Sequence, residues 1–225
     1  MNLNIPVIRL LVAKDWQLFQ KQLAIYVLAG VVALCFLGLA KPWAFYVGSL
    51  MLIIVMVSVA CFSISTSLMV ERKEKTLAFV MSLPVSPLDF TAAKLAGNII
   101  TFGVPFALMV LGTLAVVLFT QLPDGLFVYS LLVFAYILFA FSISLAVAMS
   151  VESEGWGTFA MIGTMVLINP YLMALSMVPA IKDRIGEDAL VWTTPALAIL
   201  AALVLLSLAV VAATAWVHAR KPAFY

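Results

Sequence analysis

The sequence predicts an all-α, polytopic membrane protein: six transmembrane helices, an N-terminal amphipathic helix lying in the interface, and a short cytoplasmic helix. The whole chain, 1–225, reads as a single membrane domain. Three observations carry this. Two-thirds of the residues (66 %) are hydrophobic and only 10 % are charged, where a soluble domain carries roughly a quarter. The mean hydropathy is +1.22, so much of the surface must face lipid rather than water. The apolar residues are also gathered into runs long enough to cross a hydrocarbon core of about 30 Å, which takes about 20 helical residues.

Residues 1–22 carry Arg9, Lys14, Asp15 and Lys21 spread through the stretch, without the apolar core of a cleavable signal. Ile8, Leu11, Val12, Trp16, Phe19 and Leu23 recur at helical spacing, with Lys14, Gln17, Gln20 and Lys21 opposite. That pattern predicts a helix lying along the interface. Spans follow near 23–40, 43–69, 96–120, 125–150, 156–178 and 194–217. Pro42, Pro123-Asp124-Gly125 and Gly155-Trp156-Gly157 punctuate the short connections. Pro105 and Pro170 fall inside the third and fifth spans and are expected to kink them. The last connection, 179–193, is polar and is expected to hold a short extracytoplasmic helix. Thr194-Pro195 reads as a helix cap followed by proline in the first turn.

Lysine and arginine placement sets the orientation. With the N-terminus inside, Arg9, Lys14, Lys21, Arg72, Lys73, Lys75, Lys94, Arg220 and Lys221 fall on the inner side, against Lys41, Lys182 and Arg184 outside. Both termini are therefore expected in the cytoplasm. No charged residue falls near the middle of a span, which argues against a proton- or sodium-coupled carrier and against a carboxylate-based intramembrane enzyme. The polar residues of the spans are Ser58, Ser63, Ser65, Thr66, Asn98, Thr101, Ser142, Ser144, Thr158, Thr164 and Asn169. Hydrogen bonding between helices is the first role expected of them.

No metal or redox chemistry is legible. Cys35 and Cys61 lie in separate apolar runs and read as buried small hydrophobes. His218 is the lone histidine and reads as one of the interfacial basic residues.

Residues 71–94 differ from everything else. Five charged residues, Glu71 to Lys75, open the stretch. Leu77, Phe79, Val80, Met81 and Leu83 follow, and Pro84 and Pro87 close it. The apolar run is too short to span a bilayer. Ser86 suits an N-cap, Pro87 the first helical position and Asp89 the third. A topology-setting loop accounts for the charges but not for the apolar run, which suits a knob for a cytoplasmic partner.

The order Glu71, basic residues, Thr76-Leu77, Ser82-Leu83-Pro84-Val85-Ser86 and Lys94 resembles the type-two permease subunits of bacterial ATP-binding-cassette exporters. Lys75 stands where many members carry glycine. The resemblance implies that the segment is a coupling helix seated in a groove of a separate ATPase. Phe79, Val80 and Met81 would be its knob, with Arg72, Lys73, Glu74, Lys75, Thr76 and Leu77 around it. Glu152, Glu154 and Trp156 would form a second, smaller cytoplasmic contact. Two permease chains, identical or sister, would pair. Substrate would pass along the second and fifth spans, with Ser58, Phe62, Ser65, Thr158, Thr164 and Asn169 as candidate pathway residues.

The chain contains no G-x-x-x-x-G-K-[ST] motif. On this reading it is not an enzyme, ATP and Mg belong to the partner ATPase, and the chain itself holds no cofactor. It would be the transport subunit of an exporter for a hydrophobic or amphipathic substrate (peptide, drug or lipid) in the bacterial cytoplasmic membrane. The charge-free spans suit such a cargo. A non-transporting scaffold that recruits a partner through residues 71–89 is the alternative from a different class. Nothing in the sequence suggests nucleic acid.

Overall fold

The computed structural model describes residues 4–69, 86–151 and 153–219. The described chain is all helix and turn, and six of its helical stretches are long and apolar enough to cross a membrane. In chain order these are α1 (Ile5–Gly38), α2 (Pro42–Ile64, prolonged by a π-helical turn over Ser65–Met69), α3 (Pro87–Phe119), α4 (Gly125–Ser150), the pair α5 (Glu154–Val166) and α6 (Ile168–Met177), and α8 (Thr194–Ala219). A single turn of helix, α7 (Pro179–Lys182), lies in the last connection.

The N-terminal segment departs from expectation. The sequence places an interfacial helix over 1–22 and a separate span after it, yet α1 is one helix of 34 residues with no break. At 1.5 Å per residue it is about 50 Å long, and α3, with 33 residues, matches it. The two run parallel: Asn4 lies beside Asp89, Asp15 beside Lys94, and Leu34 beside Gly112. α2 returns antiparallel to both. It approaches α1 closely at Gly48, where a Cβ would come within 2.8 Å of the Ala33 carbonyl oxygen and 2.9 Å of the Leu37 nitrogen. Small residues at helix crossings are how membrane helices gain contact without a hydrophobic drive.

α4 is the most enclosed of the six and α8 the most exposed. α4 packs on α8, α5, α3 and α2, and α1 packs on α2 and α3. The main apolar core is built on these contacts, with Phe102 stacked on Phe141 at 3.9 Å and Tyr136 on Tyr171 at 4.5 Å, and a second, smaller cluster gathers Val128, Leu132, Leu175, Ile181 and Ala196.

Several local signals act as their chemistry dictates. Ser86 caps α3: its hydroxyl accepts from the Asp89 amide (3.1 Å) and donates to the Asp89 carboxylate (2.7 Å). The fifth span breaks at Leu167, three residues before Pro170. Proline has no N–H to offer the Val166 carbonyl, so the ladder is interrupted there and α6 begins afresh. Pro105, by contrast, is accommodated inside an unbroken α3.

Other details shift. The Gly155-Trp156-Gly157 cluster lies in the first turn of α5 rather than before it. α8 begins at Thr194, with the Leu197 amide bonded to the Thr193 carbonyl, so the cap position falls one residue early. Cys35 is exposed and Cys61 half-buried, where both were expected inside; a lipid-facing surface gives a thiol no reason to hide. The last connection is fastened to the bundle by the Gly125 amide, 3.0 Å from the Glu187 carbonyl. A side chain at Gly125 would collide with the Arg184 carbonyl.

Candidate functional site

The long polar segment singled out by its sequence joins the π-turn end of α2 to the cap of α3. Arg72, Lys73, Glu74, Lys75, Thr76, Leu77, Phe79, Val80 and Met81 lie outside the described residues, as does Glu152. What the structure describes is the ground on which that segment stands.

At its root is a buried polar cluster drawn from three helices. Asp15 of α1 and Lys94 of α3 are only 5 % exposed each, and the Lys94 ammonium lies 3.1 Å from the Asp15 carboxylate. Lys14 approaches the other carboxylate oxygen at 3.5 Å from a half-exposed position. One turn beyond Lys94 is Asn98, fully buried. Its side-chain amide donates to the Lys94 carbonyl (2.9 Å) and to the Ser67 hydroxyl (3.0 Å). Its side-chain oxygen accepts from the Ser63 hydroxyl at 3.2 Å.

Both roots of the 70–85 segment, the end of α2 and the start of α3, are thus bonded through one asparagine. The start of α3 is held to α1 as well, because the Asn4 amide donates to the Asp89 carboxylate at 2.8 Å. Burying the two charges costs several kcal/mol per ion, and the cluster is tenable only because each polar group finds a partner. Such a network holds three helix ends in one arrangement more sharply than apolar packing can.

The Asp15–Lys94 pair escapes a reading of the sequence that looks for charges only at span centres. The signal was nonetheless there. Asp15 stands seven residues after Ile8, four after Leu11 and four before Phe19, so it lies on the apolar face of α1. Lys94, Asn98 and Thr101 likewise form one buried stripe on α3, from which Lys94 meets Asp15 of α1 and Asn98 meets Ser63 and Ser67 of α2. A carboxylate within an apolar stripe requires a buried partner, although which partner is not legible.

The remaining sequence-predicted residues are dispersed. Ser58, Phe62 and Ser65 line one side of the end of α2 and its π turn, all partly buried, and Phe62 packs edge-on against Phe19 at 5.7 Å. Thr164 is turned to α4: its hydroxyl lies 2.8 Å from that of Ser144, and its carbonyl accepts from the Tyr136 hydroxyl at 2.7 Å. Thr158 and Asn169 are exposed on α5 and α6, as are Glu154 and Trp156 at the start of α5. Among the described residues, the second and fifth spans both pack on α4 and share no substantial interface with each other.

His218 is not simply an interfacial base. Its ring nitrogens lie 2.9 Å from the Thr214 carbonyl and 3.0 Å from that of Met149, so it ties the end of α8 to the last turn of α4. Among the described residues, no three His, Cys, Asp or Glu side chains gather as a metal site would require.

The class this fold defines is that of a polytopic α-helical membrane protein with six spanning helices. No protein-family model, curated protein or solved structure matches the chain.

Proposed function

We propose that the chain is the membrane permease subunit of an ATP-driven exporter, powered by a separate ATP-binding-cassette ATPase. One observation carries this reading: the charged and apolar run from Glu71 to Lys94 joins two spans whose ends share a single buried asparagine. A docked motor would push or pull on residues 71–85. The Asn98 cluster and the Asp15–Lys94 pair would pass that displacement into α1, α2 and α3 together rather than into one helix. The six spans and the charge-poor bundle interior support movement of a hydrophobic or amphipathic cargo.

On this reading Phe79, Val80 and Met81 fill the ATPase groove, with Arg72, Lys73, Glu74, Lys75, Thr76 and Leu77 around them. Glu152, Glu154 and Trp156 make the smaller contact. ATP and Mg sit on the partner, and the chain is not an enzyme by itself. Two permease chains pair, both termini face the cytoplasm, and the membrane is the bacterial cytoplasmic one, as nine inner basic residues against three outer ones support.

The test is to determine whether the reading frame beside this chain encodes an exporter-type ATPase and to reconstitute the two in vesicles. Association should raise ATP turnover and drive efflux of a hydrophobic dye. Phe79→Asp with Met81→Asp should abolish both while leaving insertion intact. Full association and full efflux in that double variant would refute the coupling role. Association with no efflux of any cargo tried, in the unsubstituted protein, would favour the scaffold reading.

A further inference from the structure

At the end of the bundle away from the N-terminus, α1, α2, α3, α4 and α6 do not close on one another. They leave a partly enclosed cleft of about 230 Å³. Helical interiors are close-packed and seldom contain voids much larger than a water molecule, so a space of this size calls for an occupant. Its floor is core: Met56 is fully buried and Leu52, Phe134 and Ile137 nearly so. Tyr46, 72 % exposed, stands at its rim. None of the described residues that line it carries a charge.

The polar groups on its walls are hydroxyls, and they are not equivalent. Ser49 donates to the Phe45 carbonyl (2.8 Å) and Ser130 to that of Phe127 (2.9 Å), so each proton is spent within its own helix. Thr113, on the α3 wall, is only 5 % exposed and its hydroxyl has no hydrogen-bond partner. Among the described residues Thr193 shares this state, whereas other threonines do not. Thr66, Thr120, Thr164 and Thr214 all close their hydroxyls on the carbonyl one turn back. A buried hydroxyl without a partner is destabilising, and an acceptor placed in the cleft would remove that penalty once the threonine side chain turned to it.

The geometry points to a binding site for the alkyl chain of a neutral amphiphile, whose hydroxyl or carbonyl oxygen is received by Thr113. Size, polarity and charge each narrow the class. A dry apolar cavity of about 150 Å³ accepts benzene, which scales to roughly nine carbon atoms for this cleft. Water is a poor occupant, because so apolar a space offers it too few partners. A charged headgroup is excluded from the cleft itself, because nothing there would compensate its desolvation. The site concerns binding alone and stands whether or not an ATPase drives the chain.

The test uses the full chain in nanodiscs of phosphatidylcholine and a 1-decanol carrying a diazirine on its alkyl chain. Labelled residues are mapped by mass spectrometry. Labelling should saturate and concentrate on the Leu52–Met56 and Tyr129–Ile137 walls. Unlabelled 1-decanol should displace the probe about tenfold better than decane, the discrimination that one buried hydrogen bond gives. Ile137→Trp, which fills the cleft, should remove the saturable labelling. Val116→Phe fills it from the α3 side and serves the same purpose if Ile137→Trp does not yield monodisperse protein. Thr113→Val should make decanol and decane equal competitors without abolishing labelling. Labelling that rises linearly with probe and falls equally on lipid-facing positions such as Leu10 and Ile25 would show bulk-lipid solvation and overturn the site. Equal competition by decanol and decane in the unsubstituted protein would overturn the role of Thr113 and the polar end of the ligand.

Discussion

The two ends of this bundle solve opposite problems. At the N-terminal end, Asp15, Lys94, Asn98, Ser63 and Ser67 come from three helices and satisfy one another. At the far end, the same three helices, with α4 and α6, leave an apolar cleft and an unpaired hydroxyl on Thr113. One end is over-determined, because every polar atom there constrains the placement of another. The other is under-filled, and apolar side chains alone do not dictate how closely it shuts. The contrast teaches where rigidity and adaptability are placed: a fixed root beneath residues 70–85, and a space able to receive something at the opposite side.

The sharpest way to break this contrast is to remove half of the ion pair. Asp15→Ala or Lys94→Ala should each cost about 3–5 kcal/mol by leaving an uncompensated buried charge, seen in denaturant unfolding in micelles. The double variant Asp15→Ala with Lys94→Met should be less damaging than the sum of the singles. Singles that cost under about 1 kcal/mol would mean the pair is solvated and the root not fixed.

Next in size is Asn98→Leu. It leaves the Ser63 and Ser67 hydroxyls to find other partners and should cost about 1–3 kcal/mol, with the cost largely shared with Ser63→Ala in a double-mutant cycle. At the other end the sign should reverse. Thr113→Val removes an unpaired hydroxyl and keeps the shape, so it should stabilise the empty protein by about 1 kcal/mol in the same assay.

Smallest of all is Ala40→Gly, in the α1–α2 turn. Ala40 has φ 50°, a left-handed conformation that suits glycine better than any residue with a Cβ. The substitution should raise stability by about 0.5 kcal/mol, read as a small upward shift in Tm.

Much of this architecture could be read without coordinates. The number of spans follows from the length of the apolar runs, because no other use of so many apolar residues is compatible with water. The Ser86-Pro87-Asp89 cap and the interruption before Pro170 are local chemistry, complete within a few residues. The amphipathic pattern of residues 1–22 suggests a helix distinct from the first span, whereas the helix over Ile5–Gly38 is continuous. Its acid, Asp15, lies against Lys94, 79 positions along the chain. His218 was likewise legible only as a base near the end of a span, since its partner carbonyl on Met149 is 69 positions away.

The sequence by itself determined that this chain is a six-span helical membrane protein. It also marked residues 71–94 as the stretch unlike the rest, since hydropathy, caps and prolines act over one or two helical turns. Tertiary structure alone decided which polar side chains meet at the root of that stretch and that a cleft remains at the opposite end. Partnership between distant side chains, and the space left when helices of unequal side chains pack, are properties of the crossing of helices. No single segment encodes them.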